Sequence, residues 1–174
     1  KGKNIELSEN NCKAYQKSGN QTVRAADHIP KGKISIWKYI IYIPSEGCYF
    51  CGVTSSLNDT NAFNSIPFNK TFVDAYGIDD SKNCIYCGSN KSRQECKWSK
   101  PKIKKNVNGS IIKIIGDYRD NKQLKLTFYY MNQKMTPPNS DYTMILPEIS
   151  DTYKWYPACV LQNPGAWCII SCFD

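Results

Sequence analysis

Leu124-Lys125-Leu126-Thr127-Phe128-Tyr129-Tyr130 places an apolar or aromatic side chain at every second position, and Met131-Asn132-Gln133-Lys134 follows it as a turn. Side chains on a strand alternate between its two faces. Leu124, Leu126, Phe128 and Tyr130 therefore share one face, and Lys125, Thr127 and Tyr129 share the other. A strand with one dry and one wet face belongs to an antiparallel sheet packed on one side.

The segments on either side read the same way. Toward the N-terminus, Ile111 to Ile115 is a short strand ending at Gly116-Asp117. Ile34 to Ile43 reads as one long strand with a bulge near Trp37, where the inward phase changes, and Pro44 ends it. Cys48 to Thr54 reads as a buried strand, Ser55 to Thr71 as a long polar loop with Phe63 and Phe68 embedded in it, and Gly77 to Asn83 as a turn. Toward the C-terminus, Tyr142 to Leu146 and Trp155 to Leu161 are short apolar segments. Asn163-Pro164-Gly165 then turns the chain into Trp167 to Phe173, with Cys168, Ile170 and Cys172 on one face. Sustained 3.6-residue periodicity is missing, and many short strands punctuated by Gly, Pro, Asn and Asp indicate an all-β antiparallel sandwich of two sheets with little helix. No internal repeat supports a propeller or solenoid.

The 174 residues suit one domain spanning 1–174, and no shift in composition marks a linker. Starting at Lys1 without an initiator Met, the chain reads as a piece of a longer protein. No apolar run reaches the roughly 18 residues of a membrane helix, so no membrane partner is expected. The net charge of +8 raises nucleic acid as a partner, but only Arg24, Arg93 and Arg119 among the 23 cations carry the guanidinium fork suited to phosphate and guanine. The basic segment Lys97 to Lys105, with Trp98 available to stack on a base, is the candidate nucleic-acid patch; its plainer reading is a solvated edge.

Nine cysteines leave at least one unpaired, so no disulfide framework is forced. Cys48-Tyr-Phe-Cys51-Gly and Cys84-Ile-Tyr-Cys87-Gly have the form of zinc knuckles, and Cys48, Cys51, Cys84 and Cys87 are the alternative metal set. Against that, the intervening residues are large and apolar, and positions i and i+3 of a strand point to opposite faces. Buried reduced thiols are the preferred reading, with no cofactor, and they favour an intracellular location. His28 is the only histidine, set in a turn-like stretch, and it leaves a single imidazole for any Cys/His or Ser/His chemistry. GxGxxG, Walker A, GxSxG and HExxH are all absent, which lowers the standing of an enzyme reading.

The order of these elements resembles the SPRY domain. Thr22-Val-Arg-Ala25 through Lys31-Gly-Lys33 into Trp37-Lys-Tyr39 is similar to the family's opening strands, and Gly47-Cys-Tyr-Phe-Cys51-Gly-Val53 to its apolar run into Gly-Val. Tyr76-Gly-Ile-Asp79-Asp80 with Tyr86-Cys-Gly88 resembles its aromatic-Gly turn. Gly116-Asp117 and Leu124 to Lys134 resemble its Gly-Asp step and its LxFxxNGK hairpin, with the glycine missing. Tyr156-Pro-Ala158 running to Pro164-Gly-Ala166 resembles the closing YPAVSL…GPGA pattern.

The resemblance implies a bent, concanavalin-like sandwich that is not an enzyme and binds a protein or peptide ligand through loops at one end. Such modules serve as recognition or scaffold parts of larger proteins, ubiquitin ligases among them. The implied contact residues are Arg24, Phe63, Asn64, Phe68, Tyr76, Asp79, Gln162 and Asn163, with aromatics as anchors and polar groups fixing register.

Overall fold

The alternation from Leu124 to Tyr130 is realised: Leu124, Leu126, Phe128 and Tyr130 are each at most 6% exposed. The structure is a computed structural model. It describes residues 1, 3–10, 13–19, 21–44, 49–55, 74–79, 84–89, 94–97, 109–120, 122–135, 144–146 and 154–173; for 49, 74–76, 78–79, 84–89 and 94–97 the description is of backbone. Phe63, Asn64, Phe68, Cys48 and the run from Trp98 to Lys105 lie outside the described residues.

Among the described residues there are fourteen strands and no helix. They are β1 (Ile5–Ser8), β2 (Lys13–Gln16), β3 (Gln21–Arg24), β4 (Ile34–Tyr42), β5 (Tyr49–Ser55), β6 (Asp74–Asp79), β7 (Cys84–Ser89), β8 (Gln94–Lys97), β9 (Ser110–Asp117), β10 (Lys125–Tyr130), β11 (Gln133–Met135), β12 (Met144–Ile145), β13 (Trp155–Leu161) and β14 (Trp167–Phe173). One sheet runs β1-β2-β14-β4-β9-β10-β11, with β12 also paired to β10; the other runs β3-β13-β5-β6-β7-β8. The pairings are antiparallel throughout. This is the expected two-sheet sandwich.

The core is built from alternate positions of facing strands. Trp37, Tyr39 and Ile41 of β4 and Ile112 and Ile114 of β9 meet Cys51 and Val53 of β5 and Cys159 and Leu161 of β13. Tyr39 Oη donates to the Gly52 carbonyl at 2.7 Å, which ties the sheets together where the hydroxyl would otherwise be buried without a partner.

Two sequence expectations need correction. β4 carries no bulge: its burial alternates without interruption, and its pairing with β9 is continuous from Ile34↔Asp117 to Ile41↔Ser110. The apparent phase change arose because Ile36 and Ile40, though apolar, lie on the outer face. Gly77 to Asp79 is not the start of a turn but the end of β6. Gly77 is needed there for close approach, since a Cβ would run into the Cys51 carbonyl and come within 2.6 Å of Gly52 Cα.

Turns fall where polar residues were read. Met131 and Asn132 take φ of 46° and 68°, the left-handed pair of a two-residue hairpin joining β10 to β11. Gly165, at φ 88°, closes the turn between β13 and β14, with Ala166 N–H donating to the Asn163 carbonyl at 3.1 Å.

Candidate binding cleft

The two sheets do not end together. Beyond β14 the larger sheet continues through β2 and β1, whereas the smaller sheet stops at β3. Side chains on that margin of the larger sheet therefore face the β3 edge and the segment that follows it, and a cavity of about 570 Å³ opens between them. Its floor comprises Leu7, Ala14, Trp37, Cys168, Ile170 and Cys172; Val23, Arg24 and residues 25–27 form the opposite wall. Small side chains such as Ala14, Ala25 and Cys168 leave the volume that larger ones would fill.

The wall is held by the backbone. Ala25 N–H donates to the Pro157 carbonyl at 2.9 Å and Ile29 N–H to the Trp155 carbonyl at 2.8 Å, which prolongs the attachment of β3 to β13 past the strand. The Arg24 guanidinium lies 4.1 Å from the Tyr156 ring centroid, and His28 stands 6.0 Å from the same ring. Such a stack orients a cation beside an aromatic at the surface. Inside the cleft, the Trp37 Nε1–H is buried and has no acceptor among the described residues.

The face formed by Cys168, Ile170 and Cys172 is the one read from their alternation. Exposure rises along it, from Cys168 buried in the core to Cys172 exposed at the surface. Trp37 and Ala14, by contrast, did not stand out in the sequence as cleft residues; the only signal was a run of small or apolar residues at inward positions.

The described contact candidates are spread over the smaller sheet. Arg24 is paired with Ala158, four positions along β13 from Gln162, about 13 Å at strand rise. Gln162 and Asn163 sit half-buried in the β13–β14 turn, at the opposite end of β3. Tyr76 pairs with Val53 and Asp79 with Phe50, so β6 stands three strands from Arg24. The described residues thus place Arg24 at the cleft and the others away from it.

Cys51 has its sulfur 3.7 Å from that of Cys159, and Cys84 and Cys87 belong to β7, beyond β6. Among the described residues no cluster of three or more His, Cys, Asp or Glu side chains is arranged to hold a metal ion. No helix among them is long and apolar enough to cross a membrane.

No family model matches the sequence, and no curated protein matches it. Solved structures do match. The TRIM65 PSpry domain superposes with a TM-score of 0.60 over 98% of this chain and 86% of that one, at 13% identity. The fold is that of the concanavalin-like β-sandwiches. The metal-free carbohydrate recognition domain of Emp46p shares this concanavalin-like architecture at a TM-score of 0.61, covering 98% of this chain and 85% of that one at 8% identity. A Bacillus subtilis protein with a galectin-like fold gives 0.55 over 96% and 83%, at 11% identity. The chain thus shares its two-sheet fold with SPRY and carbohydrate-recognition domains.

Proposed function

We propose that this chain is a non-catalytic recognition module that binds a protein or peptide, as SPRY domains do, and serves as the substrate-recognition or scaffold part of a larger protein. The observation that carries this reading is the placement of its most specific motif. Tyr156-Pro157-Ala158 and Pro164-Gly165-Ala166 lie on β13 and in the turn to β14, and Tyr156 stacks under Arg24 beside the cleft. A rigid sheet that presents such groups loses little ordering entropy on binding. The contact set is Arg24, Phe63, Asn64, Phe68, Tyr76, Asp79, Gln162 and Asn163, and burial of the Cys51, Cys159 and Cys168 thiols supports an intracellular setting.

Likeness to the Emp46p carbohydrate recognition domain, at equal coverage, favours a second reading in which the ligand is a sugar. The nucleic-acid reading rests on Lys97 to Lys105 and predicts binding that falls steeply with salt. One experiment separates the three. The immobilised chain should capture a protein that is lost on Phe63→Ala, Gln162→Ala or Arg24→Ala, with circular dichroism unchanged. Capture that survives all three variants removes this site, release by free sugar supports the lectin reading, and salt-sensitive retention of oligonucleotide supports the third.

A further inference from the structure

On β4 and β9 the outer face of the larger sheet is rich in isoleucine, where an exposed sheet face is ordinarily polar. Trp37, Tyr39, Ile41, Ile112 and Ile114 point into the core, so the intervening positions of β4 and β9 point outward. Register arranges these outward residues in parallel rows, three of which are Ile36 opposite Ile115, Lys38 opposite Lys113, and Ile40 opposite Ile111, with Ile34 opposite Asp117 beyond the first. Neighbouring strands extend the rows, with Phe173 beside Ile36, Ile169 beside Ile40, and Tyr129 beside Lys113. Phe173 is 49% exposed.

The middle row is the unusual one. Two lysines directly opposite each other on adjacent strands repel, and among the described residues neither has a carboxylate partner. Each leans over an aromatic ring instead: Lys38 Nζ is 5.8 Å from the Phe173 centroid and Lys113 Nζ is 4.4 Å from that of Tyr129. Asp117, on the same face, is held by Arg119 at 2.7 Å. Among the described residues this pair of positive charges is uncompensated, and it lies between two aliphatic rows.

From this charge arrangement we infer that the outer face of β4 and β9 docks an amphipathic helix of a protein partner, which inserts one acidic side chain between Lys38 and Lys113 and packs apolar side chains on the two isoleucine rows. The dimensions agree. Successive outward rows are about 6.8 Å apart along a strand, and residues four apart on a helix are separated by about 6 Å along its axis. A helix lying along β4 with the pattern apolar-x-x-x-acidic-x-x-x-apolar matches the three rows. A second copy of this chain would set lysines against lysines. A lipid surface would meet the charges at the outer edge of a patch, whereas here they are walled in by isoleucines. The face is on the sheet opposite the described contact residues Tyr76 and Asp79 of β6 and Arg24 of β3, so its test is read independently of theirs.

The test uses an alanine-based 15-residue helical peptide with a central glutamate and a leucine four residues to either side, read by the δ1-methyl NMR signals of the chain's isoleucines. Saturable shifts confined to Ile36, Ile40, Ile111, Ile115 and Ile169 are expected, with a dissociation constant below about 1 mM. Replacing the peptide's glutamate with lysine should weaken binding at least 10-fold. Lys38→Glu, which supplies the carboxylate from within the sheet and should fold, should do the same, and Lys113→Ala provides a second check. No shift at saturating peptide, or equal binding of the lysine peptide, overturns the proposal. So do concentration-dependent shifts without peptide, which mean self-association, or shifts produced only by phosphatidylserine vesicles.

Discussion

The sulfur atoms of Cys51 and Cys159 lie 3.7 Å apart, on residues directly opposite each other in β5 and β13, and both are fully buried. Cys168 of the other sheet belongs to the same buried cluster, so three thiols are grouped in the core. Burial pushes the Cys159 thiol well above its ordinary range, and Cys168 is pushed up first by its hydrogen bond to Cys159 and then by burial. A thiol held protonated is a poor nucleophile.

In the native protein at pH 8, iodoacetamide should therefore label the exposed Cys172 and leave Cys51, Cys159 and Cys168 untouched until denaturant is added. Site-resolved peptide mass spectrometry reads this directly. A Cys51–Cys159 disulfide in the non-reduced peptide map would contradict both the packing and the proposed intracellular setting.

The same groups make stability sensitive to alkali. Folded Cys159, Cys168 and Tyr39 all have raised pKa values, Tyr39 chiefly through burial, against ordinary values of 9.0 for the thiols and 10.0 for tyrosine. Their contribution is complete below pH 9. Above it the unfolded chain ionises first, and stability falls with rising pH by up to about 1.4 kcal/mol per pH unit for each group. The urea midpoint, measured under reducing conditions, should be flat from pH 7 to 8.5 and drop by pH 10.5. A midpoint unchanged at pH 10.5 refutes the assignment.

Gly77→Ala should cost about 3 kcal/mol or prevent folding, because the added methyl meets backbone of β5 that has no room to move. Thermal unfolding of the variant, beside wild type, measures the loss. A change under about 1 kcal/mol would mean that β5 and β6 are farther apart than described.

Met131→Asn should stabilise by roughly 0.5–1 kcal/mol. Met131 is 56% exposed and sits at φ 46°, where asparagine is tolerated far better than an unbranched apolar side chain. Chemical denaturation should show a higher midpoint with the slope unchanged.

Strand content was legible because most inward positions carry large apolar residues at period two, as from Leu124 to Tyr130. Reading failed where outward positions were also apolar. Ile36 and Ile40 mimicked a shift of phase at Trp37, and the uninterrupted β4–β9 pairing shows that they occupy the outer face of a regular strand. Gly77 misled for a related reason, since glycine marks a turn or a close approach equally well, and only the neighbouring strand distinguishes them.

Of the candidate site, the β13–β14 motif was legible because Tyr156 to Ala166 is contiguous in sequence. The cleft was not, because its walls come from β1, β2, β3, β4 and β14, and their convergence depends on one sheet being wider than the other at that margin.

Period-two alternation, turn chemistry and the burial preference of cysteine belong to local sequence, and they determined that this chain forms an antiparallel sandwich with Cys51, Cys159 and Cys168 inside. Which strands become neighbours is decided by long-range pairing, and that alone set Cys51 against Cys159 and Lys38 against Lys113. No local pattern encodes such juxtapositions, since the free energy that selects them comes from burying both sheets' inner faces at once.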